Sequence, residues 1–461
     1  MRHFSLLFVF LTCSIATEAW ACSCRGPETP KEAFDKAKAV FTTHVPEFIK
    51  GEQGYVEKVI LKIDKVWKGN PDKESIVVNP NEQCAYYNFK ENKKYIVYAH
   101  SSWDKNIPDS YHVSGCSRTK PLDEGKIETR YLDAIIASKD TKAIDQSLPS
   151  ILKNKEEKNN IRIEATRLLG WILRIDFEGA PEGAVEALVK ASGSGNVELK
   201  LSVAHNLSHY KLKGRTDVKG ALLQLLKDGD QNVRNAAAGA LAVTANHESP
   251  DVFKALIQAL DEARLKQWND KKLYETALAA LGVSISKVAN TEKEKTEAVE
   301  ILYGMIDEIS DPYRKVSVIQ HLGFQKERAA RTAPKLLEVL KATDSYHVKQ
   351  YTISALGDIK ATDALEEIKP YIKDKNCYVV KHTVEAVQKI APEGFPEFFR
   401  NMAMPEMKTR FESCRHQFIW ALQALGPAAK DMKPFLVKKY KTTRETGWRK
   451  EDLKDAIDKL Q

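Results

Sequence analysis

The chain has 461 residues, 43% hydrophobic and 29% charged, a balance that supports packed domains and excludes wholesale disorder. Lys and Arg total 71 against 63 Asp and Glu, so the net charge of +8 is spread thinly and does not mark a nucleic-acid-binding protein. Beyond one short apolar run at the N-terminus nothing is long enough to cross a bilayer, which excludes a multi-span membrane protein.

That first run sets the compartment. Met1-Arg2-His3 is a short basic start, Phe4 to Ile15 is mostly apolar, and Ala19-Trp20-Ala21 places small residues where a signal peptidase needs them. Residues 1–21 read as a cleaved export signal, giving a secreted or periplasmic chain that starts at Cys22. A second reading makes Cys22 the lipid-anchored residue of a lipobox, which Trp20-Ala21 fits poorly. Of seven cysteines, Cys13 leaves with the signal; Cys22, Cys24, Cys84, Cys116, Cys377 and Cys414 remain, and an even number in an oxidising compartment favours pairing.

From Val40 to Cys116 the pattern is strand-like. Ala39 to Val45 is rich in β-formers. Val59, Leu61 and Ile63 alternate with Ile60, Lys62 and Asp64, and the run ends at the turn signal Lys68-Gly69-Asn70-Pro71. Ile76-Val77-Val78 and Tyr95-Ile96-Val97-Tyr98 are two more short strands. Between Leu122 and Ala137 the period changes, with Ile127, Tyr131, Leu132 and Ile135 on one helical face. The expectation is a small β-barrel of about five strands with a closing helix, over residues 22–138.

Beyond Ser138 the chain repeats itself. Val233-Arg-Asn-Ala-Ala-Ala-Gly-Ala-Leu241 resembles Val348-Lys-Gln-Tyr-Thr-Ile-Ser-Ala-Leu356, and weaker copies start near Ile161, Leu199, Leu273, Arg314, Val380 and Cys414. Each copy is an amphipathic helix preceded by another, as at Val252 to Leu260, with loops such as Lys227-Asp228-Gly229-Asp230 between the two helices of a pair. One pair cannot bury its apolar face alone, so the copies must stack. The repeats resemble the HEAT family, which implies an all-α HEAT-like solenoid of about eight repeats over residues 139–461.

The mature N-terminus, Cys22-Ser23-Cys24-Arg25-Gly26-Pro27 followed by Ala33-Phe34, is similar to that of tissue inhibitors of metalloproteinases. Further segments resemble the same netrin-like module: Val66-Trp67-Lys68-Gly69, Cys84-Ala85-Tyr86-Tyr87-Asn88-Phe89, Tyr95 to Ala99, and Gly115-Cys116-Ser117-Arg118 up to Leu122. The resemblance implies an OB-type barrel with Cys22 paired to Cys84 and Cys24 to Cys116; from sequence alone four cysteines allow three connectivities. It further implies that the free α-amino group and carbonyl of Cys22 chelate the catalytic zinc of a metalloendopeptidase while Ser23 enters its specificity pocket. The chain departs from the family at Asp35, where another Cys is usual, and lacks the second cysteine-rich subdomain. The same cysteines serve equally as plain staples of a module that inhibits nothing.

Other candidates have blander accounts. His205 and His209 have the spacing of a zinc-binding pair on one helix, but Asn206 follows where a metalloprotease helix needs Glu, and a solvent-facing pair is favoured. His247-Glu248 is a lone His-Glu pair in a loop before Pro250. Cys377 and Cys414 lie about one repeat apart, either bridged across neighbouring helix pairs or buried as separate thiols; the bridge is favoured. The basic runs at Lys153–Lys158 and Lys438–Lys441 read as solvated helix ends or linkers. No phosphate-cradling glycine loop, Gly-x-Ser-x-Gly elbow or carboxylate dyad is present, so the reading is non-enzymatic, with no cofactor and no intrinsic metal. The expected function is protein binding, with metalloendopeptidase inhibition through Cys22 and Ser23; the alternative is a non-inhibitory envelope or extracellular scaffold, lipid-anchored or not.

Overall fold

The computed structural model of the chain describes residues 29–45, 48–50, 56–69, 75–78, 87–101, 111–113, 117–137, 139–245, 249–266, 268–442 and 448–460. Contacts divide it into two units, Met1–Ala187 and Leu188–Gln461, so the first helical pair after the sheet belongs with the sheet.

In the first unit the strands are β1 (Ala39–His44), β2 (Phe48–Lys50), β3 (Val56–Lys68), β4 (Ser75–Val78), β5 (Lys94–Ser101), β6 (Tyr111–His112) and β7 (Lys120–Pro121). They form a small, mostly antiparallel sheet. β1 pairs with both β3 and β5, β3 also with β2 and β4, and β5 also with β6 and β7. β4 meets β6 through one parallel register, Val78 with Tyr111. Helix α1 (Pro30–Lys36) starts with a capping box, Thr29 and Glu32 each accepting the other's backbone N–H.

Every residue from Tyr95 to Ala99 is buried because both faces of β5 are covered. Tyr95, Val97 and Ala99 join Phe41, Val59 and Leu61 on one face. Ile96 and Tyr98 join Val40, Trp67, Ala33 and Leu132 on the other. Leu132 belongs to α2 (Lys126–Ile136), which buries Ile127, Tyr131 and Leu132 as the helical period requires. Each such side chain contributes roughly 1.5–3 kcal/mol.

A buried charge cluster ties sheet to helices within this unit. Glu128 of α2 is fully buried; it accepts from Arg118 Nε at 2.7 Å, Tyr98 Oη at 2.6 Å and Lys120 Nζ at 3.1 Å. Burial alone would raise its pKa, but Lys120 and Arg118 pull the carboxyl down to about 2. Two more helices follow, α3 (Lys142–Lys153) and α4 (Asn159–Ile175). Tyr131 donates to Asp145 of α3. Glu164 of α4 accepts the amides of Ile127 and Glu128, each at 2.8 Å, and so satisfies the open N-terminus of α2 from another helix. Burial pushes Glu164 up to about 7 despite those two amides.

Helix α5 (Ala184–Ala191) is followed in the second unit by α6 (Val197–Leu207), α7 (Thr216–Leu225), α8 (Gln231–Thr244), α9 (Pro250–Leu265), α10 (Lys271–Val288), α11 (Glu292–Glu308) and α12 (Pro312–Phe324). Then come α13 (Ala333–Ala342), α14 (Tyr346–Asp358), α15 (Leu365–Ile368), α16 (Cys377–Ile390), α17 (Phe395–Phe398), α18 (Met404–Thr409), α19 (Arg415–Leu425), α20 (Lys433–Thr442) and α21 (Trp448–Lys459). The packing is regular. α7 packs on α8, α9 on α10, α11 on α12, α13 on α14, α15 on α16 and α20 on α21. The second helices stack on one another in the order α6, α8, α10, α12, α14, α16, α19, α21, forming a ladder.

Sequence explains the regularity. Just before six successive ladder helices, Asn196, Asp230, Asp270, Asp311, Ser345 and Asn376 each accept a backbone N–H from the first turn. Small residues let the rungs approach closely: a Cβ on Gly357 would lie 2.8 Å from the Cα of Ala386 on the next rung, and one on Gly323 would lie 3.1 Å from that of Ala355. Seven of the eight repeat starts read from the sequence fall inside α4 and the ladder helices α6 to α16; the eighth, Cys414, immediately precedes α19.

Candidate functional site

A ladder helix has a rung on either side and its paired helix behind, which leaves one stripe of positions open, spaced i, i+4, i+7. Along α12 these are Tyr313, Ser317, Gln320 and Phe324; along α14, His347, Tyr351, Ser354 and Asp358; along α16, Tyr378, His382, Glu385 and Lys389. None of the twelve is buried. Buried aliphatic residues alternate with them, as in Val348, Ile353 and Leu356 of α14.

The open positions near the first turns are aromatic, and they meet across the rungs. The Tyr313 ring lies 5.4 Å from that of His347 on the next helix, and Tyr346 is 4.0 Å from His347. One turn further on, Tyr351 of α14 approaches His382 of α16 at 6.1 Å. Tyr378 precedes His382 by four residues and shares its face. Tyr313, His347, Tyr351, His382 and Tyr378 therefore form one patch over three rungs. Tyr313 is 69% exposed and Tyr378 38%, while His347, Tyr351 and His382 are half-buried between them.

The charges bordering the patch are closed into pairs. Arg314 meets Asp311 at 2.8 Å, Lys381 meets Glu385 at 2.9 Å, Lys389 meets Asp358 at 2.7 Å, and Lys349 meets Asp374 at 3.7 Å. Burial would raise the Glu385 carboxyl, but His382 and Lys381 hold it below its ordinary value. At the far end of α12, burial lowers the pKa of His321, although its Nδ1 donates to the Ser317 carbonyl at 2.8 Å. Its Nε2 is buried with no partner among the described residues.

A disulfide joins Cys377, at the start of α16, to Cys414 just before α19, with Cα atoms 5.4 Å apart. Of the two arrangements open to this pair in the sequence, the bridge is the one formed. It anchors the rung that carries Tyr378.

The other sequence candidates fare differently. Cys22, Ser23, Cys24, Cys84 and Cys116 lie outside the described residues, as do His247 and Glu248. His205 and His209 do not share a helix: α6 ends at Leu207, and His209 instead accepts the Lys211 amide in a following turn. The zinc-like spacing is lost because the chain leaves the helix between them. Among the described residues no group of three or more His, Cys, Asp or Glu could hold a metal ion. Lys155 and Lys158 lie exposed in the connection from α3 to α4, while Lys439 at the end of α20 pairs with Glu412. No helix of the described residues is long and apolar enough to cross a membrane.

The aromatic patch went unread in the sequence, although a signal was there. Pro312-Tyr313, Tyr346-His347 and Cys377-Tyr378 each put an aromatic ring at the start of a repeat.

No protein-family model matches the sequence, and no curated protein matches it. Among solved structures the chain is similar to yeast importin-beta, with a TM-score of 0.53 at 13% identity, over 78% of this chain and 49% of that one. This chain thus spans about half the length of importin-beta. A complex of CpcE and CpcF of phycocyanin lyase from Nostoc matches over 53% of this chain and 94% of its own, at 20% identity and a TM-score of 0.33. The AP-3 complex matches over 74% and 64%, at 13% identity and a TM-score of 0.45. The importin-beta likeness is one of fold, and with the ladder described above it identifies the helical part as a HEAT-like solenoid.

Proposed function

We propose that this protein is a protein-binding scaffold whose solenoid recognises its partner through the patch of Tyr313, His347, Tyr351, Tyr378 and His382. The observation that carries the reading is that row: aromatic side chains on the open stripe of three consecutive rungs, joined across the rungs at Tyr313–His347 and Tyr351–His382, with Tyr313 and Tyr378 exposed and the neighbouring charges already paired. Stacked repeats present extended surfaces to partners, and tyrosine gives large contact area at small entropic cost. A photo-crosslinking amino acid at position 313 tests this in cells making the protein. The control is position 210, where Tyr210 is equally exposed, at 66%, and lies outside the patch. Protein adducts should concentrate at 313; adducts equally frequent at 210 would remove the patch from consideration.

A second activity concerns the sheet unit. There the reading is an OB-type, netrin-like barrel, and what supports it is that β1 bonds to both β3 and β5. On that reading the exported chain begins at Cys22, bridges join Cys22 to Cys84 and Cys24 to Cys116, and the Cys22 amine with Ser23 inhibits a zinc metalloendopeptidase. The amine must be unprotonated to bind metal, and its ordinary pKa lies near 7.7–8.0. Intact mass of the exported protein distinguishes a free Cys22 from a lipid-anchored one. Titration against a panel of zinc endopeptidases, with and without one Ala placed ahead of Cys22, then tests inhibition. Equal inhibition by both forms rejects chelation; inhibition by neither leaves a non-inhibitory scaffold in the envelope or outside the cell.

A further inference from the structure

The aromatic row continues beyond α16. Tyr313, His347 and Tyr378 are each the second residue of their ladder helix, and the second residue of α19 is His416. Four residues further along, Tyr351 of α14 and His382 of α16 are matched on α19 by Trp420. The His416 and Trp420 rings lie 6.4 Å apart, and Trp420 is 47% exposed. By the helical period both belong to the open stripe of a fourth rung.

That rung is joined differently from the two before it. Gly323 and Gly357, where α12 approaches α14 and α14 approaches α16, are each the twelfth residue of their helix; α16 has Gln388 there. α16 also packs on α19 less extensively than on α14. Between them the chain is broken into α17, a π-helical turn (Phe399–Ala403) and α18. A covalent bond fastens the helix starts instead: Cys377, the residue before Tyr378, is joined to Cys414, two residues before His416.

The two sulfurs are not equivalent. Cys414 is fully buried, whereas Cys377 is half-buried and opens the first turn of a 14-residue helix. An external thiolate therefore reaches Sγ of Cys377 first. The S–S bond breaks, Cys414 leaves as a thiolate and takes a proton, and a mixed disulfide forms on Cys377. With a dithiol as reductant, its second thiolate attacks its own sulfur in the mixed disulfide and expels Cys377, whose thiolate the positive end of α16 favours. The dithiol ends as a disulfide and the bridge as two thiols. Arg410 donates to the carbonyls of Asp374 and Lys375 at 2.6 and 2.7 Å, which keeps the turn before α19 close to α16 for reoxidation.

We propose that the Cys377–Cys414 bridge is a reducible clip: oxidised, it holds His416 and Trp420 in line with Tyr378 and His382, and reduced by a dithiol, it releases that end of the row. The clip stands on the packing of α16 and α19; its effect on a partner rests on the protein-binding reading above.

Three measurements on the full-length protein test it. A thioredoxin whose second active-site cysteine is replaced by serine should be trapped on Cys377 of the oxidised protein, as read by peptide mapping; trapping on Cys414, or none, overturns the reducible bridge. The Phe418 amide donates to the Cys414 carbonyl at 3.0 Å, and its equivalent on α14 is Lys349 on Ser345 at 2.9 Å. On reduction with dithiothreitol, hydrogen exchange at Phe418 should accelerate at least tenfold and at Lys349 less than threefold. Equal acceleration at both, or none, overturns the local clip. A photo-crosslinking amino acid at position 420 should capture protein in the oxidised chain and lose it in the Cys377→Ser/Cys414→Ser double variant and in reduced wild type, while capture from position 313 persists. Equal capture at 420 in all three overturns control of binding and leaves protein binding standing. No capture at 313 or 420 in any form overturns the protein-binding reading, while trapping and exchange still decide on the clip.

Discussion

Replacing Glu128 with Gln removes one charge from the centre of the cluster that joins the sheet to α2 while keeping the side chain's shape. The structure gives the size of the effect by two routes. First, the Glu128 carboxyl is drawn from 4.5 to about 2, which at about 1.4 kcal/mol per pH unit makes its ionised form worth about 3 kcal/mol to the folded state. Second, the variant strands Arg118, whose side chain is 14% exposed, without its carboxylate, and breaking a buried pair costs about 3–5 kcal/mol. Because the folded value lies below the unfolded one, this stability is complete above about pH 4.5 and is lost as pH falls towards 2. Hydrogen exchange of the β5 amides is the assay, since Tyr98 of β5 donates directly to Glu128. At pH 7, Glu128→Gln should accelerate their exchange about a hundredfold, which is about 3 kcal/mol. Wild type should lose the same protection below pH 4 while the variant loses little more. Exchange at pH 7 within threefold of wild type would show that the cluster contributes nothing net.

Three further outcomes follow from single contacts. Glu164 has the opposite sign: its folded value near 7 lies above 4.5, so its contribution is complete below pH 4.5 and fades as pH rises through 7. Protection of the first-turn amides of α2 should decline over that window in wild type, and Glu164→Gln should abolish the pH dependence; an equal slope in the variant refutes the assignment. Gly357→Ala should destabilise the second unit by about 1–3 kcal/mol, because its Cβ meets the backbone of Ala386, whereas Gly239→Ala on α8, with nothing within 4 Å, should stabilise by up to about 1 kcal/mol; thermal melts separate the two. Reducing the Cys377–Cys414 bridge, which spans 37 residues, should cost about 4 kcal/mol on the chain-entropy estimate, and identical urea midpoints for the oxidised and reduced protein would exclude that contribution.

Much of the helical architecture was legible because its causes are local and recur. Burial of a helix face writes the same apolar spacing into every copy, so the starts at Leu199, Val233 and Val348 all fall inside ladder helices. The capping residues ahead of those helices are as regular but change identity among Asn, Asp and Ser, so a search for identical residues passes over them. In the sheet, the alternation of Val59 and Leu61 was plain, whereas β5 reads as a continuous apolar run because both its faces are covered. What sequence could not supply was the tie between sheet and helices. Glu164 looks like an ordinary helix-surface carboxylate until α2 is placed against it, 36 and 37 residues away in the chain.

The patch was hidden for a related reason. A side chain's neighbours along one ladder helix are three and four residues away, but its neighbours across the ladder are one repeat away, and the repeats differ in length. Tyr313 meets His347 after 34 residues and Tyr351 meets His382 after 31, so no fixed period brings all the rings together. Only the packed rungs fix the offset, and they do so through contacts such as Gly323 on Ala355 and Gly357 on Ala386. Residues with no side chain to offer a partner thus set the register of those that have one. The spacing of the aromatic row should therefore be more sensitive to Gly357→Ala than to any exposed substitution within the row, and crosslinking at position 313 should fall in that variant even though Gly357 is buried.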